Sequence, residues 1–106
     1  MNKFMRMLVF FDVPVKTAVE RRRYSDFRRF LLNDGYHMLQ YSVYTRICNG
    51  FDSVLKHKVR LKNNLPDNGS VRLLVLTEKQ FDAMEVLVGS YHDDELVSSC
   101  EQLSIF

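Results

Sequence analysis

The sequence predicts a single α/β (α+β) domain in which helices cover one face of a largely antiparallel sheet. With 106 residues, the chain has room for one hydrophobic core and no second domain. Its hydrophobic share of 46% and charged share of 26% are ordinary for a folded protein. Segments with strand-like and helix-like patterns alternate along the chain, and this alternation determines the predicted architecture.

The first predicted strand and helix have clear boundaries. The strand covers Met5 to Asp12, is apolar without interruption from residue 7 to 11, and ends before Pro14. A helix opens at Thr17, because Glu20 three residues later completes a capping box. The helix stops at the sequence Asn-Asp-Gly of residues 33–35.

The next segment, Tyr36 to about Ile47, alternates in the manner of a strand. It is long enough to bend or bulge, so its two halves can form separate pairs. A second helix is expected from Phe51 to Asn64, then a turn at 66–69 and an apolar strand from Val71 to Thr77. The residues expected to face inward from the second helix and its end are Phe51, Val54, Leu55, Val59, Leu61 and Leu65.

The rest of the chain is predicted as a short helix from Glu78 to about Leu87, capped by Thr77. It is followed by the acidic loop 92–95 and a last strand near Gln102 to Phe106. This order corresponds to a ferredoxin-like split βαβ sandwich: a four-stranded antiparallel sheet with two helices on one face, plus a C-terminal strand. Residues 1–106 form the domain, with 88–106 as a C-terminal extension. No element remains to cover the other sheet face, which predicts a homodimer.

Charge is distributed unevenly along the chain. Residues 1–62 contain thirteen Lys and Arg against five Asp and Glu, whereas residues 63–106 contain two against eight. A basic half of this kind predicts a nucleic-acid surface that recognises phosphate rather than base sequence. The candidate contacts lie on the two helices: Arg21, Arg22, Arg28, Arg29, Lys56 and Arg60. A solvated helix surface is the alternative interpretation.

Asp12 is the candidate catalytic residue and metal ligand, because it lies at the carboxyl end of an apolar strand. A residue that only forms the turn before Pro14 is the alternative interpretation. Mg²⁺ takes one or two protein carboxylates together with water and substrate phosphates. One Asp per chain meets that need only if a two-fold axis brings Asp12 of two protomers together. No catalytic triad, phosphate loop, dinucleotide motif or zinc spacing is present. The apolar run near the start is too short for a signal peptide or a membrane span, so a cytoplasmic protein without membrane contact is expected.

With these residues in view, the chain resembles the Cas-two family of small CRISPR-associated adaptation proteins over nearly its whole length. The resemblance is carried by MRMLVFFDVP, by the arginine helix that closes in LLNDGY, and by Gln40, Ser42, Val43 and Tyr44. The Pro-x-x-Gly turn before an apolar strand and the segment TEKQF (Thr77 to Phe81) complete it. The TEKQF segment is most similar to members from systems with a single large effector nuclease.

The resemblance implies a ferredoxin-like dimer in which Asp12 is the ligand of a shared Mg²⁺ or Mn²⁺ ion. It also implies a partnership with the larger CRISPR integrase subunit on double-stranded DNA, as a bridge in spacer acquisition and antiviral defence. The alternative is an active metal-dependent endonuclease that cuts RNA or double-stranded DNA. A small-ligand module on the same fold is a third hypothesis, although the sequence has no glycine-rich ligand turn. The terminal residues Leu103, Ile105 and Phe106 are predicted to bind a neighbouring protomer or partner by strand addition.

Overall fold

The computed structural model describes residues 3–89, which form four strands and three helices. The predicted acidic loop, the last strand and Leu103, Ile105 and Phe106 lie outside the described residues. In chain order the elements are β1 (Phe4–Asp12), α1 (Ala18–Asn33), β2 (His37–Gln40), β3 (Val43–Asn49), α2 (Phe51–Lys62), β4 (Ser70–Thr77) and α3 (Glu78–Asp82).

The four strands form one sheet in the order β2-β3-β1-β4, and every neighbouring pair is antiparallel. β1 lies in the middle, so that Val9 is paired with Tyr44 of β3 on one side and with Leu73 of β4 on the other. This order, with a helix after β1 and another after β3, confirms the predicted α+β fold with its antiparallel sheet.

Local capping explains where α1 and α3 begin. The Thr17 side chain accepts a hydrogen bond from the Glu20 amide, and the Glu20 carboxylate accepts one from the Thr17 amide. Thr77 and Gln80 form the same reciprocal pair at α3. Both caps were predicted from the sequence, but α3 ends at Asp82 rather than near Leu87.

The long alternating segment after α1 divides into β2 and β3. The two strands are joined at Tyr41 and Ser42, and Ser42 has a positive φ of 63° that reverses the chain direction. The Ser42 carbonyl accepts a hydrogen bond from the Phe11 amide at 3.0 Å, which fixes this turn to the end of β1. The predicted break is therefore confirmed, and it takes the form of a tight hairpin.

Both long helices cover the same face of the sheet. β1 supplies Met7, Val9 and Phe11 to the core, and the rings of Phe11 and Phe27 meet edge-on at 5.2 Å between centroids. The buried helical residues are Phe27 and Leu31 from α1 and Val54 and Leu61 from α2.

The inward orientation predicted for the second helix is only partly correct. Val54 and Leu61 are buried, but Phe51, Leu55 and Val59 are exposed, as is Leu65 beyond the helix. The physical reason is angular: these apolar positions spread over roughly 160° of the helix, whereas a helix on a sheet buries a narrower stripe.

The opposite face of the sheet, called the second face below, is largely apolar and partly exposed: Leu8 and Thr45 on it are buried, whereas other residues on it are open to solvent. Register and strand alternation place Phe10, Ile47 and Leu74 on it, and all three are exposed. The helix α3 covers part of this face. There Arg6 is buried, with both of its contacting guanidinium nitrogens 2.9–3.0 Å from Glu78 carboxylate oxygens and its centre 4.0 Å from the Phe81 ring centroid.

Candidate nucleic-acid interface and metal site

Asp12 is the last residue of β1 and is exposed. Its register partner in β4 is Ser70. Because Val9 and Phe11 point into the core, alternation places the Asp12 side chain on the second face, in the same row as Phe10. Asp12 therefore ends this row, which has Arg6 toward its other end, on the face that the two long helices leave uncovered.

Two turns hold the backbone at Asp12. The turn of residues 66–69 lies directly against it: a Cβ on Gly69, whose φ is +93°, would lie 2.5 Å from the Asp12 carbonyl oxygen. Only glycine permits this approach. On the other side, the Ser42 carbonyl holds the Phe11 amide. The position of the Asp12 carboxylate is thus set by a strand end fixed at two neighbouring points.

One chain does not provide a complete metal site around Asp12. Among residues 3–89 there is no group of three or more His, Cys, Asp or Glu side chains that could hold a metal ion. A single exposed carboxylate suits Mg²⁺ or Mn²⁺ only when other oxygen ligands come from water, phosphate or a second Asp12. Its place on the second face means that a second copy packed there could supply that second carboxylate.

Arg72 is a residue that sequence reasoning missed at this edge. It is the register partner of Phe10, two positions from Ser70, and is exposed on the second face beside the Asp12 row. The segment VRLLVLT looks apolar throughout, which hides its alternation. The signal in the sequence was the two-residue period of a strand, which places residues 72, 74 and 76 on one face of the sheet and residues 71, 73 and 75 on the other.

The four candidate arginines of α1 are all exposed, and we call them the arginine face: Arg21, Arg22, Arg28 and Arg29. Arg21 donates to the Lys16 carbonyl at 3.0 Å and so stays close to the start of the helix. Arg28 donates through Nε to the Tyr44 hydroxyl at 2.8 Å, which orients its guanidinium toward the sheet flank. The terminal nitrogens of an arginine held through Nε remain available for phosphate oxygens.

The two basic candidates of α2 differ in their surroundings. Lys56 is exposed, whereas the Nε of Arg60 lies 2.6 Å from Asp34 Oδ1. Asp34 itself is buried, so Arg60 has a structural partner in addition to any role on the surface.

Asp34 is the centre of a polar cluster that joins α1, β3 and α2. Its Oδ2 lies 2.9 Å from His57 Nδ1, and its backbone carbonyl accepts a hydrogen bond from Arg46. Burial, reinforced by the negative charge of Asp34, raises the pKa of the neighbouring Tyr36 phenol well above its usual range. The sequence indicated Asp34 only as part of a helix stop, because its partners are distant in the chain.

No helix within residues 3–89 has the length and apolar character needed to cross a membrane.

Comparisons with known proteins identify the family and support the fold. The sequence model of the family described as "CRISPR associated protein Cas2" matches residues 5–84. The "CRISPR-associated endoribonuclease Cas2" of Acidovorax ebreus is 56% identical over 102 residues, covering 96% of this chain and all of the relative. The protein of the same name from Campylobacter jejuni is 47% identical over 105 residues, covering 99% of this chain and 73% of the relative.

A solved structure described as "Crystal structure of cas2" superposes with a TM-score of 0.58 at 21% identity, over 85% of this chain and 92% of the other. That likeness supports the fold. The family match runs from β1 through α3 and includes Asp12, the arginine face and the hairpin at Ser42. This chain therefore belongs to the CRISPR-associated Cas2 family.

Proposed function

We propose that this protein is a dimeric DNA-binding bridge for the larger CRISPR integrase subunit during acquisition of new spacers in the cytoplasm. The observation that carries the proposal is the arginine face of α1, which is exposed on the side of the helix away from the core. An exposed row of guanidinium groups suits the phosphates of a duplex without reading its sequence.

The second face supports the dimer. Phe10, Ile47 and Leu74 each expose apolar surface on this face, one on each of three neighbouring strands. A two-fold contact is the simplest way to bury such a patch, and it would place the two arginine faces on the outside of the assembly. A protein that sediments as a monomer at micromolar concentration would contradict this part of the proposal.

DNA binding is tested by reversing the charge of the arginine face. Replacing all four arginines by Glu should abolish binding to duplex DNA, while a matched variant with four Lys should retain most of it. Both variants lose the hydrogen bond from Arg28 Nε to Tyr44, and they carry opposite charges at all four positions. For the natural protein, log affinity should fall with log salt by about 0.9 per phosphate contact. Equal affinity of the Glu and Lys variants would refute the assigned surface.

The bridge itself is tested by mixing the protein, its integrase subunit and duplex DNA, and measuring the mass of the assembly. We expect one dimer of this chain to join two sets of integrase subunits. Deleting residues 101–106, which contain Leu103, Ile105 and Phe106, should weaken dimerisation or integrase binding more than DNA binding. Loss of DNA affinity alone in the truncated protein would contradict the role proposed for these residues.

A second candidate function is a metal-dependent endonuclease, favoured by the endoribonuclease names of the relatives and by the carboxylate on the second face. Asp12 of two protomers would hold Mg²⁺ or Mn²⁺, which would supply charge neutralisation at a phosphate of RNA or double-stranded DNA. Asp12→Asn should then abolish cleavage, whereas Asp67→Asn in the adjoining turn should not. Spacer acquisition should survive Asp12→Asn if the role is architectural, and its loss in a variant that still dimerises and binds DNA would favour catalysis instead.

A further inference from the structure

The outer side of α2 carries an exposed apolar stripe, defined by Phe51, Leu55 and Val59. Their side chains are exposed by 65%, 52% and 58%, respectively. They are spaced four residues apart, so they follow one another along a single flank over roughly 12 Å of helix. The helix is held on the sheet by Val54 and Leu61 on a different side, so the stripe contributes nothing to the core.

The orientation of α2 is fixed by polar contacts as well as by packing. His57 and Arg60 both contact the buried carboxylate of Asp34, at 2.9 Å and 2.6 Å. Rolling the helix to bury the stripe would break both contacts. Within residues 3–89, the apolar side chains of the stripe therefore stay at the surface.

The charge on α2 restricts what can cover the stripe. The helix carries Lys56, Lys58, Arg60 and Lys62 against one acid, Asp52. Helical geometry places Lys58 and Lys62 beside the stripe. A second copy of α2 would bring like charges together, which disfavours contact between copies. Nucleic acid would satisfy the lysines but would gain little from three large apolar side chains. A protein surface that combines apolar side chains with carboxylates satisfies both features.

We infer that the apolar stripe of α2 is the docking surface for a partner protein with an acidic, apolar contact patch. This inference rests on the proposed function, in which that partner is the integrase subunit. The stripe belongs to the helix side of the fold, opposite the second face. A dimer formed through the second face thus presents two identical stripes on its two outer sides, as a bridge between two partners requires.

The chain offers a closely matched control for the test. Val59 in the stripe and Val19 on α1 are both helical valines, exposed by 58% and 59%. Val59→Glu should lower the affinity of the full-length protein for the purified integrase subunit by about tenfold or more, whereas Val19→Glu should change it by less than about twofold. Leu55→Ala removes apolar contact without adding charge, and it should also weaken binding. Circular dichroism should show all three variants folded.

The outcomes separate this inference from the proposed function. If the natural protein does not bind the integrase subunit, the bridge function fails and the assigned partner fails with it. If the natural protein binds and Val59→Glu binds equally well, the bridge stands, the docking surface is refuted, and the stripe has another occupant, such as residues 90–106. A loss of self-association or of DNA affinity in Val59→Glu, with integrase binding intact, would also refute the docking surface.

Discussion

Replacing Asp34 by Asn tests whether the polar cluster between α1, β3 and α2 stabilises the fold. The Asp34 side chain is only 3% exposed, and each of its oxygens contacts one partner. His57 is 12% exposed and Arg60 is 51% exposed. Asn keeps the shape of the side chain but removes its charge and one of its two acceptor oxygens.

The expected loss follows from these contacts. One charge-assisted hydrogen bond disappears, which costs about 1.5–3 kcal/mol. The other becomes a hydrogen bond to a neutral acceptor, which costs about 1 kcal/mol. Arg60 is half exposed and can turn to water, which reduces the cost of losing its partner. The free energy of unfolding should therefore fall by about 2–3 kcal/mol, equivalent to a decrease of roughly 10 °C or more in Tm for a chain of this size.

Urea unfolding at one fixed protein concentration measures the change. The control is Asp26→Asn, which removes the same charge from an exposed pair with Arg29 at 3.4 Å and should cost less than about 0.5 kcal/mol. If Asp34→Asn unfolds within about 0.5 kcal/mol of the natural protein, or no earlier than Asp26→Asn, the cluster does not stabilise the fold and the reasoning is wrong.

Two further predictions concern the backbone near Asp12 and the behaviour at alkaline pH. Gly69→Ala should reduce the free energy of unfolding by about 3 kcal/mol or more, because its Cβ would meet the Asp12 carbonyl. Gly50→Ala, with a φ of +90° and no atom within 4 Å, should cost less, about 1–3 kcal/mol from backbone strain alone, and equal losses in urea would refute the contact. The pKa of Tyr36 is higher in the folded chain than the ordinary tyrosine value of 10.0 that applies to the unfolded chain. The stabilisation by Tyr36 is therefore complete below pH 10 and is lost as the pH rises above that value. The stability advantage of the natural protein over Tyr36→Phe should hence shrink above pH 10, and a constant difference from pH 8 to 11 would contradict this.

The features that were predictable from the sequence are those with local causes. The caps at Thr17 and Thr77 each depend on a residue three positions later, and both are present. The apolar run of β1 and the turn at residues 66–69 likewise carry their signals within a few residues. Asp12 at the end of β1 follows from the strand boundary alone.

The features that were not predictable depend on contacts between distant segments. The buried side of α2 depends on core packing and on contacts of His57 and Arg60 with Asp34, more than twenty residues away. The reversal at Ser42 has no glycine or proline to announce it, because its geometry is fixed by the bond to Phe11. Arg72 joins the Asp12 edge only once β4 is aligned against β1.

The ion pair between Arg6 and Glu78 has a consequence for the synthesis of the protein. The two residues are 72 positions apart in the sequence. The central strand β1, which carries Arg6, is synthesised first, but its two neighbours in the sheet, β3 and β4, are synthesised later. Until Glu78 and Phe81 leave the ribosome, the Arg6 guanidinium, which is buried in the folded protein, lacks both the Glu78 carboxylate and the Phe81 ring that it contacts there. The nascent chain thus gains the full stability of the closed sheet only after almost the whole domain has been made. A gene fragment that stops before Glu78 would encode the four strands β1 to β4 but neither the carboxylate nor the ring that Arg6 contacts.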